Sequence, residues 1–345
     1  MSANDPAHSA EPAPSWLVAA LECAGGVFQS APLSLVDVGA SNAPPRNQKN
    51  LASIATYLGF DPDLRLPQAG NAFGFVRHTI VNKAIAAKSV DSVTFNLTRY
   101  PECSSTLLPN PAETDRYAIA DFFDVVGQAS VGAMTLEQAV ATAGLSHVDW
   151  LKLDTQGTDY DILTSLSPAR LAQLLVVDVE PGVVPFYTGE NTVAQIHAKM
   201  LELGFWLADL NQQRFPRLSR DAVKALQLGA KDIAMLPGNP FALELQYCRS
   251  IESLEKQGRP LRDFLALWIL AMANGHTAFS IDVALAARRR GLAPQHSDRL
   301  VTLALDAARQ QTTPPQRSFA RRAFDAVTPP LLARACRKIA HSLAG

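Results

Sequence analysis

Two stretches of the sequence each end an apolar run with an acidic residue and, shortly after it, a glycine. The first is residues 33–40 (LSLVDVGA), which contain Asp37, and the second is residues 148–157 (VDWLKLDTQG), which contain Asp154. A short apolar run bounded by turn-forming residues predicts a buried parallel strand, and ligands of open α/β sheets bind just beyond the carboxyl ends of such strands. The two carboxylates are therefore candidates to face a ligand.

The residues after the first run point to a nucleoside ligand. Gly39 allows the backbone to turn sharply and to approach a ligand without a Cβ in the way. The next predicted strand ends at Asp61, about twenty residues beyond the glycine turn, where such folds place a carboxylate on the hydroxyls of an adenosine ribose. Taken alone, the first run could be an ordinary strand-to-loop turn. The presence of both the glycine turn and Asp61 at this spacing favours a nucleoside ligand.

Two acidic residues are candidates for the chemical step. Lys152 and Asp154 are two apart on a predicted strand, so they share one face of it, with Asp154 at the carboxyl end. We predict that Asp154 orients a substrate or acts as a base; the alternative is that it caps the next helix or pairs with Lys152. Glu180, at the end of the following strand, is the second catalytic candidate, and an ordinary turn with Pro181 and Gly182 is its alternative.

No metal site is expected. The histidines lack ligand spacing such as HxxxH, and the sequence has no cluster of cysteines and histidines. The four cysteines are scattered along the chain, which predicts reduced thiols. Residues 1–14 have no basic stretch followed by an apolar one, so we expect a disordered leader and a cytoplasmic protein.

Strand and helix candidates alternate after the leader, which predicts βαβ units and a parallel sheet. A hydrophobic content of 48% and a mean hydropathy of +0.03 are typical of a globular protein. The longest apolar run, residues 264–273, is shorter than the roughly 20 residues that a membrane-spanning helix needs. The predicted strands are residues 33–38, 55–60, 78–81, 92–98, 148–153, 174–180, 205–210 and 232–236.

The character of the sequence changes beyond Pro240. No strand is predicted there, and alanine and leucine recur at helical spacing, so residues 241–345 are expected to form an all-helical extension. Residues 288–345 contain 11 of the 31 Lys and Arg residues but 3 of the 32 Asp and Glu residues. This basic cluster either faces a polyanion or an anionic membrane surface, or forms a solvated helix face. Its members are Arg288, Arg289, Arg290, Arg317, Arg321, Arg322, Arg334, Arg337 and Lys338.

The order and spacing of the motifs resemble the FkbM-type methyltransferases, a branch of the S-adenosylmethionine-dependent enzymes. The resemblance extends over residues 33–210. It implies a doubly wound, mostly parallel, seven-stranded sheet in a class I methyltransferase domain over residues 15–240. The matching pieces are VDVGA at 36–40, GFDPD at 59–63, NKAI at 82–85, CSSTL at 103–107, MTL at 134–136, DWLKLDTQGTDYDIL at 149–163, VVDVE at 176–180 and LGFWL at 203–207.

The resemblance also implies where S-adenosylmethionine binds. It places the cofactor against Asp37, Gly39 and Ala40, with its ribose on Asp61, and puts Asp154 and Gly157 beside the reaction centre. The residues that it assigns to the cofactor are Asp37, Gly39, Ala40, Asp61 and Gly157.

Two positions depart from the family pattern. Residues 41–45 (SNAPP) lack the second glycine that usually follows the first motif, and Gln156 stands where the family usually has a glutamate. An amide at this position keeps hydrogen-bonding capacity but removes a charge, so residue 156 is not a general base.

The function that the resemblance implies is methyl transfer to a hydroxyl of a sugar, a glycan or a secondary metabolite, with no nucleic-acid partner. A second hypothesis is a non-catalytic adenosine-binding or scaffolding module whose helical tail recruits a partner. A third, a nicotinamide-dinucleotide enzyme, is disfavoured because no GxGxxG follows the first strand.

Overall fold

The structure is a computed structural model, and it describes residues 13–40, 43–63 and 73–312. Strands and helices alternate through its first two thirds, and helices alone follow the last strand. The strands are Leu33–Val38 (β1), Ala55–Phe60 (β2), Arg77–Val81 (β3), Ala84–Ile85 (β4), Ser92–Thr98 (β5), Val125–Met134 (β6), Trp150–Leu153 (β7), Val176–Val179 (β8), Phe205–Phe215 (β9) and Asn239–Arg249 (β10).

The helices mostly connect these strands or follow them. They are Ser15–Ala24 (α1), Val27–Ser30 (α2), Arg46–Lys49 (α3), Pro111–Thr114 (α4), Leu136–Thr142 (α5), Asp159–Ser165 (α6), Pro168–Gln173 (α7), Val193–Glu202 (α8), Arg220–Ala225 (α9), Ala230–Met235 (α10), Ile251–Lys256 (α11), Leu261–Ala273 (α12), Thr277–Arg289 (α13) and Pro294–Thr312 (α14). Three short 3₁₀ helices lie at Ala52–Ile54, Pro101–Cys103 and Ala120–Phe123.

The main sheet has seven strands in the order β3-β2-β1-β7-β8-β10-β9. Strands β3, β2, β1, β7 and β8 are parallel to one another, and β10 is antiparallel to both of its neighbours. The chain leaves β1 in one direction and resumes at β7 on its other side, so the switch point of the sheet lies between these two strands. Ligands of such sheets bind at this point. The predicted fold class, a doubly wound and mostly parallel seven-stranded sheet, is confirmed.

Helices cover both faces of the sheet, because parallel strands buried on both sides need a layer on each. On one face, Val36 and Leu151 pack in a core with α5, α6 and α8. On the other face, Leu35 and Trp150 belong to a core with α1, α12, α13 and α14. In α12 every residue from 263 to 272 is buried, which is the pattern of a helix enclosed by protein. The C-terminal helices therefore form one layer of the sheet's core.

Two predictions beyond the middle of the chain were wrong. Residues 232–236, predicted as a strand, lie mostly in α10 and join neither sheet among the described residues. Met235 is 78% exposed, so this short apolar run is not buried as a sheet strand would be. Conversely, no strand was predicted after Pro240, yet β10 lies between β8 and β9. Its buried residues alternate as a strand's should, at Phe241, Leu243 and Leu245, but the proline obscured the signal. The all-helical part starts after β10, and the domain division stays a prediction.

A smaller sheet, in the order β4-β6-β5, is inserted between β3 and β7. Aromatic side chains of this insertion, Tyr117 and Phe123, share a third core with Phe186, Tyr187 and Phe241 from the loops and strands around the end of the main sheet. The insertion thereby packs next to the carboxyl ends of the parallel strands.

The basic cluster is partly described. Arg288 pairs with Asp298 at 3.2 Å and Arg289 with Glu255 at 2.8 Å, which favours a solvated, ion-paired helix face for this part. The remaining members, from Arg317 onward, and the leader's residues 1–12 lie outside the described residues. Of the cysteines, Cys23, Cys103 and Cys248 are free thiols, and Cys336 is likewise outside the description. No helix in residues 13–40, 43–63 and 73–312 is long and apolar enough to cross a membrane.

Candidate active site

A row of polar side chains crosses the sheet at the switch point. Asp37 on β1 is the register partner of Lys152 on β7, which pairs with Asp178 on β8, which pairs with Gln246 on β10. Register partners in neighbouring strands point to the same face, so the four side chains lie side by side. They occupy the face that α12 covers, at the carboxyl ends of the parallel strands.

Asp37, at the β1 end of this row, is buried, with 4% of its surface exposed. Its Oδ2 accepts a hydrogen bond of 2.7 Å from the Tyr57 hydroxyl, and its Oδ1 lies 3.7 Å from Lys152 Nζ. Burial raises the pKa of Asp37, and the Lys152 ammonium opposes this effect. Among the described residues, no group donates a hydrogen bond to Asp37 Oδ1. This oxygen is a buried acceptor at the end of β1.

Gly39 and Ala40 shape the turn after β1. Gly39 has a φ of +91°, and a Cβ on it would lie 2.2 Å from the backbone oxygen of Asp154, so only glycine fits. The backbone N–H groups of Gly39 and Ala40 both donate to the carbonyl of Phe60, at 2.9 and 3.0 Å. These two amides therefore hold the turn against β2.

Asp61 follows β2 directly and is 7% exposed. Its Oδ1 accepts a 2.7 Å hydrogen bond from the backbone N–H of Asp63, and its own N–H donates to Val81 O at 3.2 Å. Burial raises the pKa of Asp61, with smaller contributions from nearby carboxylates that include Asp154 and Asp37. The structure thus brings the acidic ends of β1, β2 and β7 close enough together to interact.

Asp154 is held by contacts on both carboxylate oxygens. Lys152 Nζ lies 3.6 Å from Oδ2, and Gln156 Nε2 donates to Oδ1 at 2.9 Å. Burial alone would lower the pKa of Lys152, but the charges of Asp37 and Asp154 outweigh it and raise that pKa. The ammonium therefore stays charged. Asp154 pairs with Lys152 as one alternative predicted, and the N-cap of α6 is Thr158 instead.

A second network, centred on Gln156, connects the insertion to this loop. Gln156 has a φ of +54°, uncommon for a residue other than glycine, and its carbonyl accepts from the Ser105 hydroxyl at 2.7 Å. The Tyr187 hydroxyl lies 2.8 Å from Cys103 O and 3.1 Å from Gln156 Oε1. Gly157, at a φ of +100°, lies beneath the same tyrosine ring, where a Cβ would come within 3.0 Å of it. Sequence analysis did not place Tyr187 in the site.

Asp159 was also missed, although it is acidic and lies five residues after Asp154. It is 3% exposed, and its Oδ1 accepts from the backbone N–H of Thr155 at 2.9 Å, while its Oδ2 accepts from that of Glu180, also at 2.9 Å. Burial raises the pKa of Asp159 to about 6. This side chain joins the loops that follow β7 and β8, and so fixes the separation of the two catalytic candidates.

Glu180 lines a cavity of about 420 Å³ that opens beside this edge of the sheet. Burial raises the pKa of Glu180 to about 8, and the negative charge of Asp154 adds to the effect. Most of the described residues in the cavity walls have polar or charged side chains, and none of these described residues is aromatic. The lining residues are Asn47, Lys152, Asp178, Val179, Glu180, Asp209, Asn211, Glu244, Leu245, Gln246, Ala273 and Asn274.

Comparison with known families identifies the domain that carries this geometry. The family model described as "Methyltransferase FkbM domain" matches residues 37–207. This part of the chain is an FkbM methyltransferase domain. The match begins at Asp37 and ends within β9, so it includes every residue that the sequence predicted for the site. The resemblance seen in the sequence is confirmed, and the sheet is a Rossmann-like methyltransferase fold.

Two solved structures of methyltransferases are similar to the chain. One is described as "an antibiotic related Methyltransferase", with 13% identity over 65% of this chain and 91% of that chain and a TM-score of 0.26. The other is the 16S rRNA (adenine(1408)-N(1))-methyltransferase from Catenulisporales acidiphilia, with 15% identity over 67% of this chain and 93% of that chain and a TM-score of 0.23. No curated protein matches the chain.

Proposed function

We propose that the FkbM methyltransferase domain transfers the methyl group of S-adenosylmethionine to a hydroxyl of a polar acceptor. The observation that carries the proposal is the position of Asp37, Asp61 and Asp154 at the carboxyl ends of three neighbouring parallel strands around the switch point. Lys152, which contacts Asp37 and Asp154, also lines a polar cavity. A nucleoside ligand of an open α/β sheet binds at this position.

The chain's residues fit the cofactor. Asp61, at the tip of β2, has the position and chemistry to accept hydrogen bonds from both ribose hydroxyls. Asp37 Oδ1, the buried acceptor without a hydrogen-bond donor among the described residues, suits the ammonium group of the methionyl part. Gly39, Ala40 and Gly157 leave the backbone close to this space. When bound, S-adenosylmethionine supplies a methyl group on a positively charged sulfur, ready for displacement.

Asp154 is the residue proposed to orient the acceptor hydroxyl and to accept its proton. Lys152 and Gln156 hold its carboxylate, which lies on the rim of the site with 26% of its side chain exposed. Orientation is the main requirement of a direct displacement, and well-aligned reactants gain about 7–11 kcal/mol from it. Glu180, with its raised pKa, exchanges protons near neutral pH and is the second proton-transfer residue.

The walls of the cavity favour a hydroxyl-rich acceptor such as a sugar, a glycan or a polyhydroxylated secondary metabolite. The amide and carboxylate groups of these walls offer donors and acceptors for several hydroxyls. The first part of this proposal, cofactor binding, is testable without knowing the acceptor.

Calorimetric titration with S-adenosylhomocysteine tests the cofactor site. We expect the wild-type protein to bind it, and Asp61→Ala to weaken binding at least tenfold, about 1.4 kcal/mol. Asp298→Ala, which changes an exposed carboxylate on α14, is the matched control and should bind like the wild type. Absence of binding to the wild-type protein would overturn the proposal.

Asp154→Asn then separates an enzyme from a binding module. We expect it to retain S-adenosylhomocysteine binding and to lose methyl transfer, measured as release of S-adenosylhomocysteine from S-adenosylmethionine with a panel of monosaccharides, oligosaccharides and polyols. The non-catalytic module gains support from the amide at Gln156 in place of a carboxylate. Intact binding without turnover on any acceptor of the panel would favour that module.

A further inference from the structure

Asn274 follows the last residue of α12 and joins three parts of the structure. Its Oδ1 accepts hydrogen bonds from Asn47 Nδ2 at 2.7 Å and from Gln246 Nε2 at 3.1 Å. Its Nδ2 donates to Leu270 O at 2.9 Å, in the last turn of α12. One side-chain amide thus connects α3, the sheet and the C-terminal helices.

The contact with Gln246 extends this connection to the polar row of the site. Gln246 Nε2 also donates to Asp178 Oδ1 at 2.8 Å, and His276 Nε2 lies 2.8 Å from Gln246 Oε1. Asn47, Asn274, Gln246 and Asp178 therefore form a continuous hydrogen-bonded chain along the wall of the cavity, since all four line it.

Much of the cavity lies outside the FkbM domain. Of its twelve lining residues, seven follow residue 207, where the family match ends. They belong to β9, to β10 and to the end of α12 with the residue after it. The site is therefore incomplete without the C-terminal part of the chain, which covers it from the side of α12.

Helix α3 depends on such an outside contact. It has four residues, and a helix of that length is unstable unless tertiary contacts hold it. It begins shortly after the β1 turn with Gly39 and Ala40, where the proposed cofactor binds. Its residue Asn47 is the one that Asn274 holds, while the neighbouring Gln48 is buried beneath it.

We propose that Asn274 is a positioning residue for the cofactor site: it holds Asn47, and with it α3 and the turn after β1, in the arrangement that binds S-adenosylmethionine. The C-terminal helices then contribute to cofactor binding by the methyltransferase domain. This inference rests on the proposed function, because it requires the β1 turn to bind the cofactor.

Calorimetric titration of the full-length protein with S-adenosylhomocysteine tests the inference. Asn274→Leu removes the whole amide, which loses the bonds from Asn47 and Gln246 and the bond to Leu270 O. We expect about tenfold weaker binding, because the two bonds that reach α3 and the sheet are gone. Asn274→Asp lacks the donor to Leu270 O but keeps an oxygen for Asn47 and Gln246, and should restore affinity to within about threefold of the wild type. Gln257→Leu, which replaces an exposed amide at the end of α11, is the matched control and should bind like the wild type.

Two further measurements separate positioning from a general loss of stability. Urea unfolding should show that Asn274→Leu remains folded; if it does not, Asn274→Ala, which removes the amide without adding bulk, takes its place. Amide hydrogen exchange in residues 46–54 should be faster in Asn274→Leu than in Asn274→Asp, while α8 remains unchanged in both.

The outcomes distinguish the two proposals. Equal affinity in the wild-type protein and in the folded Asn274→Leu variant would overturn the positioning role and leave the proposed function in place. Weaker binding in Asn274→Leu that Asn274→Asp does not restore would also overturn it. No binding by the wild-type protein would overturn the proposed function, and this inference with it.

Discussion

Arg262, in the first turn of α12, ties the C-terminal helices to the sheet, and Arg262→Met should destabilise the whole domain. Its guanidinium donates to both carboxylate oxygens of Asp149, with 2.8 Å between Nη2 and Oδ2, and to the carbonyl of Pro32 at 3.3 Å. Asp149 is 1% exposed and directly precedes β7. The pair therefore joins α12 to the start of the strand that carries Asp154.

The structure sets the expected magnitude. Removing one partner of a buried ion pair leaves an uncompensated charge, and the typical cost is about 3–5 kcal/mol. Asp149 keeps a 2.8 Å hydrogen bond from the backbone N–H of Ser34 and a contact of 3.3 Å with His147 Nε2. Because these contacts remain, we expect a loss at the lower end of this range: the free energy of unfolding should fall by about 3 kcal/mol at pH 7.

The loss should depend on pH in a defined direction. Burial alone would raise the pKa of Asp149, but the Arg262 charge outweighs burial and lowers it. In the wild type, the stability from ionised Asp149 is present above its unfolded pKa of about 3.9 and is lost as the pH falls below it. In Arg262→Met the contacts with Ser34 and His147 oppose burial without the Arg262 charge, so we expect the pKa of Asp149 to rise and the variant to regain stability as the pH falls. The difference between the two proteins is expected to be smaller at pH 5 than at pH 7.

Urea unfolding followed by tryptophan fluorescence measures both effects, since Trp150 and Trp268 are buried in the same core. Arg288→Met on α13 is the matched control: it breaks an exposed pair whose side chains are 46% and 68% exposed, and should cost under about 0.5 kcal/mol. The double variant Arg262→Met/Asp149→Leu should recover much of the loss, because an apolar pair carries no buried charge. A loss below about 1 kcal/mol in Arg262→Met at pH 7 would refute the reasoning.

Three further outcomes test the site. Gly39→Ala should lower the free energy of unfolding by about 2 kcal/mol or more, and the control Gly189→Ala by about 1 kcal/mol. Both glycines have a positive φ, but of the two only Gly39 faces a backbone oxygen that the new Cβ would meet. Equal losses in urea unfolding would contradict this expectation. Because burial raises the pKa of Glu180 to about 8, the folded protein binds a proton that the unfolded chain loses above about pH 4.3, so wild-type stability should decline as the pH rises from there to 8. The stability of Glu180→Gln should decline less over the same pH range. If the two proteins lose stability in parallel as the pH rises, Glu180 is not the group responsible. Tyr187→Phe removes the hydroxyl near Gln156 and should lower kcat about three- to tenfold. The affinity for S-adenosylhomocysteine should stay unchanged, and the free energy of unfolding should fall by about 1 kcal/mol. An unchanged kcat would argue against a positioning role for this hydroxyl.

Local patterns were sufficient for the parallel strands in the first half of the fold but not for the inserted sheet. The strands β1 and β2 have the predicted bounds, and β3 and β7 differ from prediction by one or two residues; the apolar runs of β1, β2 and β7 end at glycines or acidic residues in the sequence itself. The strands β4 and β6 were not predicted. The seven candidate site residues lie around one edge of the sheet for the same reason. Their assigned roles stay predictions.

The pattern was insufficient where burial depends on distant neighbours. Strand β10 alternates correctly but has Pro240 as its second residue, and α10 has a strand-like apolar run without a partner strand among the described residues. Tyr187 and Asp159 look unremarkable in the sequence, because what places them in the site is the position of loops from other strands.

The sequence by itself determined the sheet type, the acidic strand ends and the FkbM resemblance, since each depends on residues close together in the chain. The tertiary structure alone decided what covers the sheet and closes the cavity. Arg262 meets Asp149 and Asn274 meets Asn47 across more than a hundred residues of sequence. Such contacts form because the apolar faces of α12 and of the sheet bury one another. The spacing of apolar residues within one segment shows that it has an apolar face, but it does not show which other segment covers that face.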